Sequence, residues 1–298
     1  MSAATGHGSH WECLGGTAEE RVSQFIPLVI AKGEVGASVK RASGSASLVG
    51  LTNEEIFPII HPSTPLRCMA LVVSNPTRKK SEFYSGFPYT ASGGKQRLRI
   101  EQVHDWGDQV EGVLFCETAA HGQPIGFFDS HFYANHGKYK VGQDFDFVVA
   151  GLIYRAECMN EKTVTVTDQS VLRQRYAAMN EHPEPMPDGS LPPQVFHLAG
   201  LTALVPGQTY IEDAEFYCVI DTVAAFDLED IRIFQITPWF DDDSRHSPLP
   251  SVIYGAASTF KDGYLPKPGD SIGGTLWVQG FLHDEEAVPA PSRSRCSG

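Results

Sequence analysis

The 298-residue sequence lacks the short motifs that identify several common enzyme classes. It contains no GxSxG nucleophile elbow, no GxGxxG turn after a strand and no HExxH zinc motif. The glycine pair in "SGGK" at 92–95 lacks the spacing of a phosphate-binding P-loop. These absences speak against serine-hydrolase, dinucleotide-binding and nucleotide-hydrolysing chemistry, and we expect no cofactor.

The sequence also lacks paired cysteine motifs and long apolar runs. Its six cysteines have no CxxC spacing, and a chain of this size does not need disulfides to be stable. The apolar run "FIPLVIA" at 25–31 is too short to span a bilayer. We therefore expect a soluble, cytoplasmic protein with reduced thiols and no membrane contact.

Positive charge is scarce outside the first third of the chain. The whole sequence has 23 Lys and Arg against 36 Asp and Glu, a formal charge of −13. Residues 1–100 are basic overall, whereas residues 101–298 carry nearly all of the acidic excess. This balance argues against general binding of a nucleic-acid backbone and leaves one basic region as an exception.

Segments rich in Val, Ile, Phe, Tyr, Trp and Thr, separated by Gly, Pro, Asn and Asp, predict a mainly β protein. Three pairs of segments also resemble each other in the same order. "LVGLT" at 48–52 recurs at 198–202, "IEQVHDW" at 100–106 resembles 220–226, and 139–157 resembles 266–286. We interpret this as an internal duplication that gives two related units, each an OB-like or Greek-key β-barrel or a sandwich.

One or two short helices complete the predicted fold. Asp168 is placed to cap a helix over 168–180, and a second short helix is expected near 18–25. The proline-rich segment 181–194 then predicts a semi-rigid spacer. The predicted organisation is an N-terminal extension (1–47), a first β unit (48–160) with a basic insert (69–98), a helix and linker (161–195), a second β unit (196–286) and a disordered tail (287–298).

One candidate reactive site lies in "GFFDSHFYANHGKYKVGQDFDF". If residues 127–133 form a strand, Asp129 and His131 share a face, and His136 follows closely. Two imidazoles and a carboxylate are suitable ligands for zinc or another divalent metal, so a metal-dependent hydrolase is one hypothesis. Ordinary polar side chains of a strand and turn are the favoured interpretation, because no second cluster supplies further ligands.

A second candidate site is a basic and aromatic loop at 78–97. Basic side chains alternate there with aromatic ones, a combination that suits phosphate contact and base stacking on single-stranded nucleic acid. The candidate residues are Arg78, Lys79, Lys80, Tyr84, Tyr89, Lys95 and Arg97. The alternative is a solvated hairpin whose aromatic rings pack onto the β unit.

The functional expectation is a non-catalytic binding protein, because no assembled catalytic set is visible. The acidic part of the chain favours a protein partner with a basic surface. Binding of a short nucleic acid and metal-dependent hydrolysis remain the alternatives.

Overall fold

The computed structural model describes residues 8–40, 54–75, 79–106, 109–240 and 248–283. The described chain is mainly β. Its strands, numbered in chain order, form a five-stranded sheet, a two-stranded sheet and a nine-stranded sheet. The predicted fold class is therefore confirmed at the level of a mainly β protein with few helices.

The five-stranded sheet belongs to the N-terminal part of the chain. It contains β1 (Glu34–Val35), β2 (Val39–Lys40), β3 (Glu55–His61), β4 (Leu66–Asn75) and β5 (Lys80–Thr90). Strands β3, β4 and β5 form an antiparallel meander, in which successive strands are neighbours.

The nine-stranded sheet takes strands from both halves of the chain. The first half supplies β6 (Gly94–Asp105), β7 (Gly112–Thr118), β8 (Pro124–Asp129) and β9 (Asp144–Cys158). After the small sheet of β10 (Thr163–Val166) and β11 (Gln194–His197), the second half supplies β12 (Ala203–Pro206), β13 (Asp213–Leu228), β14 (Ile231–Pro238), β15 (Ile253–Ala256) and β16 (Ser271–Leu282).

In the part of the chain that the structure describes, three α-helices accompany the sheets: α1 (Ala18–Lys32), α2 (Phe132–Asn135) and α3 (Gln169–Ala178). Short 3₁₀ helices cover Gly8–Leu14, His136–Lys138, Ala257–Thr259 and Lys261–Gly263. None of the described helices has the length and apolar character needed to cross a membrane.

Helix α1 begins at a capping box. Thr17 Oγ1 accepts a hydrogen bond from the Glu20 amide at 3.3 Å, and Glu20 Oε2 accepts one from the Thr17 amide at 2.8 Å. The helix continues through Pro27 and buries Phe25 and Val29. It is therefore longer than the short helix expected near 18–25.

Helix α3 agrees with its sequence signals. Asp168 Oδ1 accepts hydrogen bonds from the amides of Ser170 and Val171 at 2.8 and 3.0 Å. Leu172 and Tyr176 are buried, whereas Met179 beyond the helix is exposed. The chain then leaves the helix through Asn180, which has a positive φ of 53°.

The hydrogen-bonded pairs of the nine-stranded sheet form two closed circuits. One runs through β6, β7, β8, β16 and β9 and returns to β6; the other runs through β13, β14, β15, β9 and β16 and returns to β13. Both circuits contain the long antiparallel pair β9–β16. The two predicted β units therefore share strands within one sheet.

The two circuits pair their strands in the same pattern. Leu98 of β6 pairs with Phe145 of β9, and Cys218 of β13 pairs with Ile272 of β16. The numbering differs by 120 between Leu98 and Cys218, and by 127 between Phe145 and Ile272. These are the offsets of the second and third sequence matches.

A register shift occurs at corresponding places in both circuits. The β6–β7 pairing shifts between Ile100 and Gln102, and the β13–β14 pairing shifts between Ile220 and Thr222. Each circuit also contains a parallel pair that joins it to the other half of the chain, β8 with β16 and β15 with β9. Each strand of one circuit therefore pairs in the same way as the corresponding strand of the other circuit.

The first sequence match lies partly outside the described chain, because residues 48–52 are not among the described residues. The basic insert 69–98 is not a loop on the first unit, because most of it belongs to β4, β5 and the start of β6. The predicted tail 287–298 lies outside the described residues.

The N-terminal part of the chain packs against the nine-stranded sheet. One core cluster joins Trp11 and Phe25 to Phe128 and Trp277, which come from β8 and β16. The Trp11 indole also donates a hydrogen bond to the Gly86 carbonyl oxygen at 3.0 Å. A second core cluster lies among the strands of the nine-stranded sheet.

Candidate functional site

Asp129 is a buried carboxyl group at the end of β8. The Tyr139 hydroxyl donates a hydrogen bond to its Oδ2, and the His131 amide donates one to its Oδ1 at 2.9 Å. Burial raises the pKa of Asp129 to about 7, because the charged form loses its hydration, and the two hydrogen bonds oppose this rise. Both carboxyl oxygens thus stabilise the turn after β8.

The two histidines near Asp129 make different contacts. His131 lies beyond the strand, with its ring 5.1 Å from that of Phe281 and 5.9 Å from that of Tyr89. Burial lowers its pKa to about 4. His136 Nδ1 instead lies 3.2 Å from the carbonyl oxygen of Phe132.

The structure does not assemble these three residues into a metal shell. Among the residues that the structure describes, no group of three or more His, Cys, Asp or Glu side chains is placed to hold a metal ion. The strand ends at Asp129, so the alternation expected over 127–133 does not extend to His131.

The basic candidates lie on two strands and are largely paired with acids. Lys95 and Arg97 both contact Asp146, at 3.4 and 3.3 Å, and Lys80 pairs with Glu82. Lys79 is exposed in the turn just before β5, and Arg78 lies outside the described residues. The positive charge of this region is therefore partly neutralised on the protein itself.

The aromatic candidates face the interior. Tyr89 is buried, and Tyr84 is half-buried and packs against the core cluster that contains Trp11. Burial raises the pKa of Tyr89, and nearby Arg67 opposes the rise. The structure therefore places neither ring in the open position that base stacking requires.

A cleft that the sequence did not indicate lies between the N-terminal 3₁₀ helix, the β6–β7 connection and the segment before β13. We call it the His10 cleft; its volume is about 520 Å³. The lining residues are Ser9, His10, His104, Asp105, Trp106, Val113, Thr209, Tyr210, Ile211 and Glu212. Trp106 and Tyr210 are 41% and 59% exposed, so aromatic surface is open to a ligand.

The charge of the lining is acidic. Asp105 and Glu212 contribute carboxylates, and the described lining contains no lysine or arginine. Asp105 is exposed, with Oδ1 accepting a hydrogen bond from the Gln109 amide at 3.2 Å. Carboxylates beside open aromatic rings are the surroundings in which organic cations bind well.

One wall of the cleft continues into a hydrogen-bonded chain. His10 Nδ1 is hydrogen-bonded to the Tyr154 hydroxyl, which donates to Asp213 Oδ1 at 3.0 Å. The His10 ring stacks on the indole of Trp277, with centroids 4.2 Å apart and planes inclined by 9°. His10 Nε2 lies 3.9 Å from Glu212 Oε1.

Burial raises the pKa of both acidic groups in this series of hydrogen bonds, Tyr154 and Asp213. It raises the pKa of Tyr154, and the nearby Asp213 carboxylate raises it further, so the phenol stays protonated. Burial also raises the pKa of Asp213, while the hydrogen bond from Tyr154 opposes the rise. A neutral phenol thus lies between a carboxyl group and an imidazole.

Sequence reasoning missed this site because its members are far apart in the chain. His10 and Tyr154 are separated by 144 residues, and Tyr154 and Asp213 by 59. No local spacing links them. They meet only because β9 and β13 both pair with β16 and the N-terminal 3₁₀ helix packs beside them.

A second cleft of about 580 Å³ lies near the other end of β6. Its cationic members Lys95 and Arg97 are those paired with Asp146, and it borders residues 241–247, which lie outside the described residues. The His10 cleft combines acidic side chains with exposed aromatic rings and is the stronger candidate site.

Comparisons with protein-family models, with curated proteins and with solved structures found no match for this chain.

Proposed function

We propose that the protein is a binding protein that takes a positively charged group into the His10 cleft. The observation that carries this proposal is the combination of the exposed Asp105 and the buried Glu212 with two exposed aromatic rings, in a cleft whose described lining contains no lysine or arginine. The charge of the whole chain, −13, favours the approach of cations from a distance.

Two kinds of ligand present such a positive charge: a small molecule and a side chain of a protein partner. A small organic amine fits a cleft of about 520 Å³. A lysine or arginine side chain of a basic protein partner presents the same charge, and this is the partner that the acidic sequence favours. A single-stranded nucleic acid has less support, because Tyr84 and Tyr89 pack inward.

Titration calorimetry with two probes tests the proposal. Benzylamine represents the small amine, and a hexalysine peptide represents the basic partner. We expect at least one of them to bind, with affinity that falls as salt rises because the attraction is electrostatic. Tight binding of hexalysine with no binding of benzylamine would assign the cleft to a protein partner.

Charge-matched variants locate the binding site. Asp105→Asn and Glu161→Gln each remove one negative charge, but Glu161 is exposed in the turn after β9, away from the cleft lining. We expect Asp105→Asn and Trp106→Leu each to weaken binding by about threefold or more, the size of a contact of a cation with a carboxylate or an aromatic face. Equal losses in Asp105→Asn and Glu161→Gln would show that binding follows net charge and not the cleft.

We also propose that the two circuits are barrels that arose by duplication of a four-stranded unit. The shared register, the bulges at Ile100 and Ile220 and the matched parallel pairs support this. Each circuit contains one strand from the other half of the chain, β16 in the first and β9 in the second. Two separate OB-like barrels are therefore a less suitable description. Proteins of each half expressed alone should fail to fold, whereas co-expressed halves should associate.

A cytoplasmic location remains a proposal. It is supported by the free thiols of Cys13, Cys68, Cys116, Cys158 and Cys218, the cysteines that the structure describes.

A further inference from the structure

Two connections between strands place aromatic rings on the surface of the His10 cleft. Trp106 lies in the β6–β7 connection, and its amide donates a hydrogen bond to the Glu111 carbonyl oxygen at 3.0 Å. Tyr210 lies in the β12–β13 connection, where the Gly207 amide donates to the Asp213 carbonyl oxygen at 2.6 Å. Both rings line the cleft, and a hydrogen bond across each connection fixes the backbone that carries the ring.

Strand β8 supports both connections. The Trp106 ring lies 5.5 Å from the ring of Phe128, a fully buried residue of this strand. The β12–β13 connection packs directly on the same strand, because a Cβ atom at Gly126 would lie 2.0 Å from the Ile211 carbonyl oxygen. The Trp106 ring and the backbone beside Tyr210 are therefore in place before a ligand arrives, which lowers the entropy cost of binding.

The carboxylates of the cleft already make contacts within the protein. Asp105 Oδ1 accepts a hydrogen bond from the Gln109 amide at 3.2 Å. Glu212 lies 3.9 Å from His10 Nε2, and its side chain is only 3% exposed. Both charges attract a cation, but a ligand in the cleft can reach only the Asp105 carboxylate, and one of its oxygens already accepts a hydrogen bond.

The number of N–H groups on a cation decides how well it suits this lining. A primary ammonium carries three N–H donors, and each donor that leaves water needs a new acceptor. A quaternary ammonium carries none. Its methyl groups bury apolar surface against an aromatic face, while its charge is attracted by the ring quadrupole. One reachable carboxylate beside two exposed rings therefore favours the quaternary ion.

We infer that the His10 cleft selects quaternary, N-methylated ammonium groups over primary amines, and that Trp106 and Tyr210 determine this selection. The inference rests on the proposed function and names the class of cation that the cleft takes. The same chemical group occurs in a small molecule such as choline and in a trimethylated lysine of a protein.

Two matched probes measure the selection on the full-length protein. Benzyltrimethylammonium differs from benzylamine only in the methyl groups on nitrogen. In calorimetry we expect the quaternary ion to bind about tenfold more tightly, the size of one good contact of a cation with an aromatic face. Equal binding, or tighter binding of benzylamine, would overturn the inference and leave the proposed function intact. Binding of neither probe nor of hexalysine would overturn both.

A neutral molecule of the same shape separates charge from apolar burial. In 3,3-dimethylbutan-1-ol a carbon atom replaces the charged nitrogen of choline, and the rest of the molecule is the same. We expect choline to bind about tenfold more tightly, because Asp105 and both rings attract its charge. Equal binding would show that the cleft recognises only the methyl groups, which would overturn the inference.

Variants of the two rings show whether the aromatic faces make the selection. Tyr210→Phe keeps the face and removes only the hydroxyl, so it should retain the preference for benzyltrimethylammonium over benzylamine. Tyr210→Leu and Trp106→Leu each remove a face, and we expect the preference to fall to about threefold. Tyr210 is 59% exposed, so its replacement leaves the core unchanged. An undiminished preference in both Leu variants would overturn the role of the rings.

Nuclear magnetic resonance of the bound probe makes the test independent of any variant. The ring current of an aromatic side chain shields protons that lie above its face. We therefore expect the N-methyl signal of benzyltrimethylammonium to move upfield when the unaltered protein is added, with nuclear Overhauser transfer to indole and phenol protons. A bound probe whose N-methyl signal does not move would overturn the inference.

A matched pair of peptides identifies the source of the cation. Hexalysine is compared with the same peptide carrying one trimethylated lysine, and both are compared with choline. Tightest binding of the trimethylated peptide would support the inference with a methylated protein as the source, and tightest binding of choline would support it with a small molecule. Tighter binding of hexalysine than of its trimethylated form would overturn the inference.

Discussion

The Tyr139 hydroxyl donates a hydrogen bond to Oδ2 of Asp129, and this contact joins the end of β8 to the segment that leads into β9. The carboxyl group is buried, and its pKa is raised to about 7 from an ordinary value of 3.8. A folded-state pKa above the unfolded one means that the folded protein binds this proton more tightly. The stabilisation is complete below about pH 4 and is lost as the pH rises through 7.

Asp129→Asn should remove this dependence on pH. We expect its free energy of unfolding to be less sensitive to pH between 4 and 7 than that of the parent, with a gain of a few kcal/mol above pH 7. Urea unfolding at a series of pH values measures this.

Tyr139→Phe is a second variant that should change the pH dependence of stability and not remove it. The hydrogen bond from Tyr139 lowers the pKa of Asp129, so its loss should move the transition to higher pH. Stability curves of Asp129→Asn and the parent that run parallel from pH 4 to 7 would contradict the assignment.

His131 should produce a second transition with the reverse sign. Burial lowers its pKa to about 4 from an ordinary value of 6.5, so the folded state disfavours protonation. The contribution of the neutral ring is complete above pH 6.5 and is lost as the pH falls through 4. We expect His131→Gln to unfold less readily in acid, relative to its own stability at pH 7, than the parent does.

The direct check is a thermal melt followed by circular dichroism at pH 7 and at pH 4. A larger fall in melting temperature for His131→Gln than for the parent between these values would exclude this account. His104→Gln is a suitable control, because His104 is exposed and contacts Gln102 at 3.0 Å.

Sequence reasoning predicted the features that depend on neighbouring residues. The cap at Asp168 and the helix that follows it depend on positions a few residues apart. The β-rich composition likewise predicted a mainly β chain. The charges of the segment 69–98 suggest a loop, but most of it forms strands; in β5 the residues 85–90 are buried continuously, so the sequence there shows no alternating pattern that would reveal a strand.

The closed circuits and the His10 cleft could not be predicted in this way. The pairing of β9 with β16 brings Leu152 beside Trp277 across 125 positions. Contacts at this separation depend on how whole strands pair, which local patterns do not determine. His10 becomes informative only when Tyr154 and Asp213 lie beside it.

Two aromatic residues of β5 distinguish a packed strand from a stacking surface. Tyr89 is buried, whereas Phe83 is 41% exposed. We expect Tyr89→Ala to lower the free energy of unfolding by about 3 kcal/mol, since it leaves a cavity, and Phe83→Ala to change it by less than about 1 kcal/mol. Chemical denaturation measures both. If Tyr89→Ala and Phe83→Ala both change the free energy of unfolding by an equally small amount, Tyr89 is again a candidate ligand contact.

The pair β9–β16 should be the most sensitive part of the nine-stranded sheet, because both circuits contain it. Gly274 of β16 pairs with Ala156 of β9 and with Phe216 of β13. A Cβ atom at position 274 would lie 1.9 Å from the carbonyl oxygen of Arg155, so the backbone of β9 would have to move.

Gly274→Ala should therefore lower the free energy of unfolding by about 3 kcal/mol. Gly137→Ala is the matched control, because a Cβ there meets nothing within 4 Å; it should be neutral or stabilise by up to about 1 kcal/mol through the unfolded chain. Hydrogen exchange should show faster opening of Gly274→Ala in both circuits, at Leu114 of β7 and at Ile236 of β14 alike, since the shared pair supports both. Faster exchange confined to β13–β15 would show that the two circuits open independently and that the shared strands do not couple them.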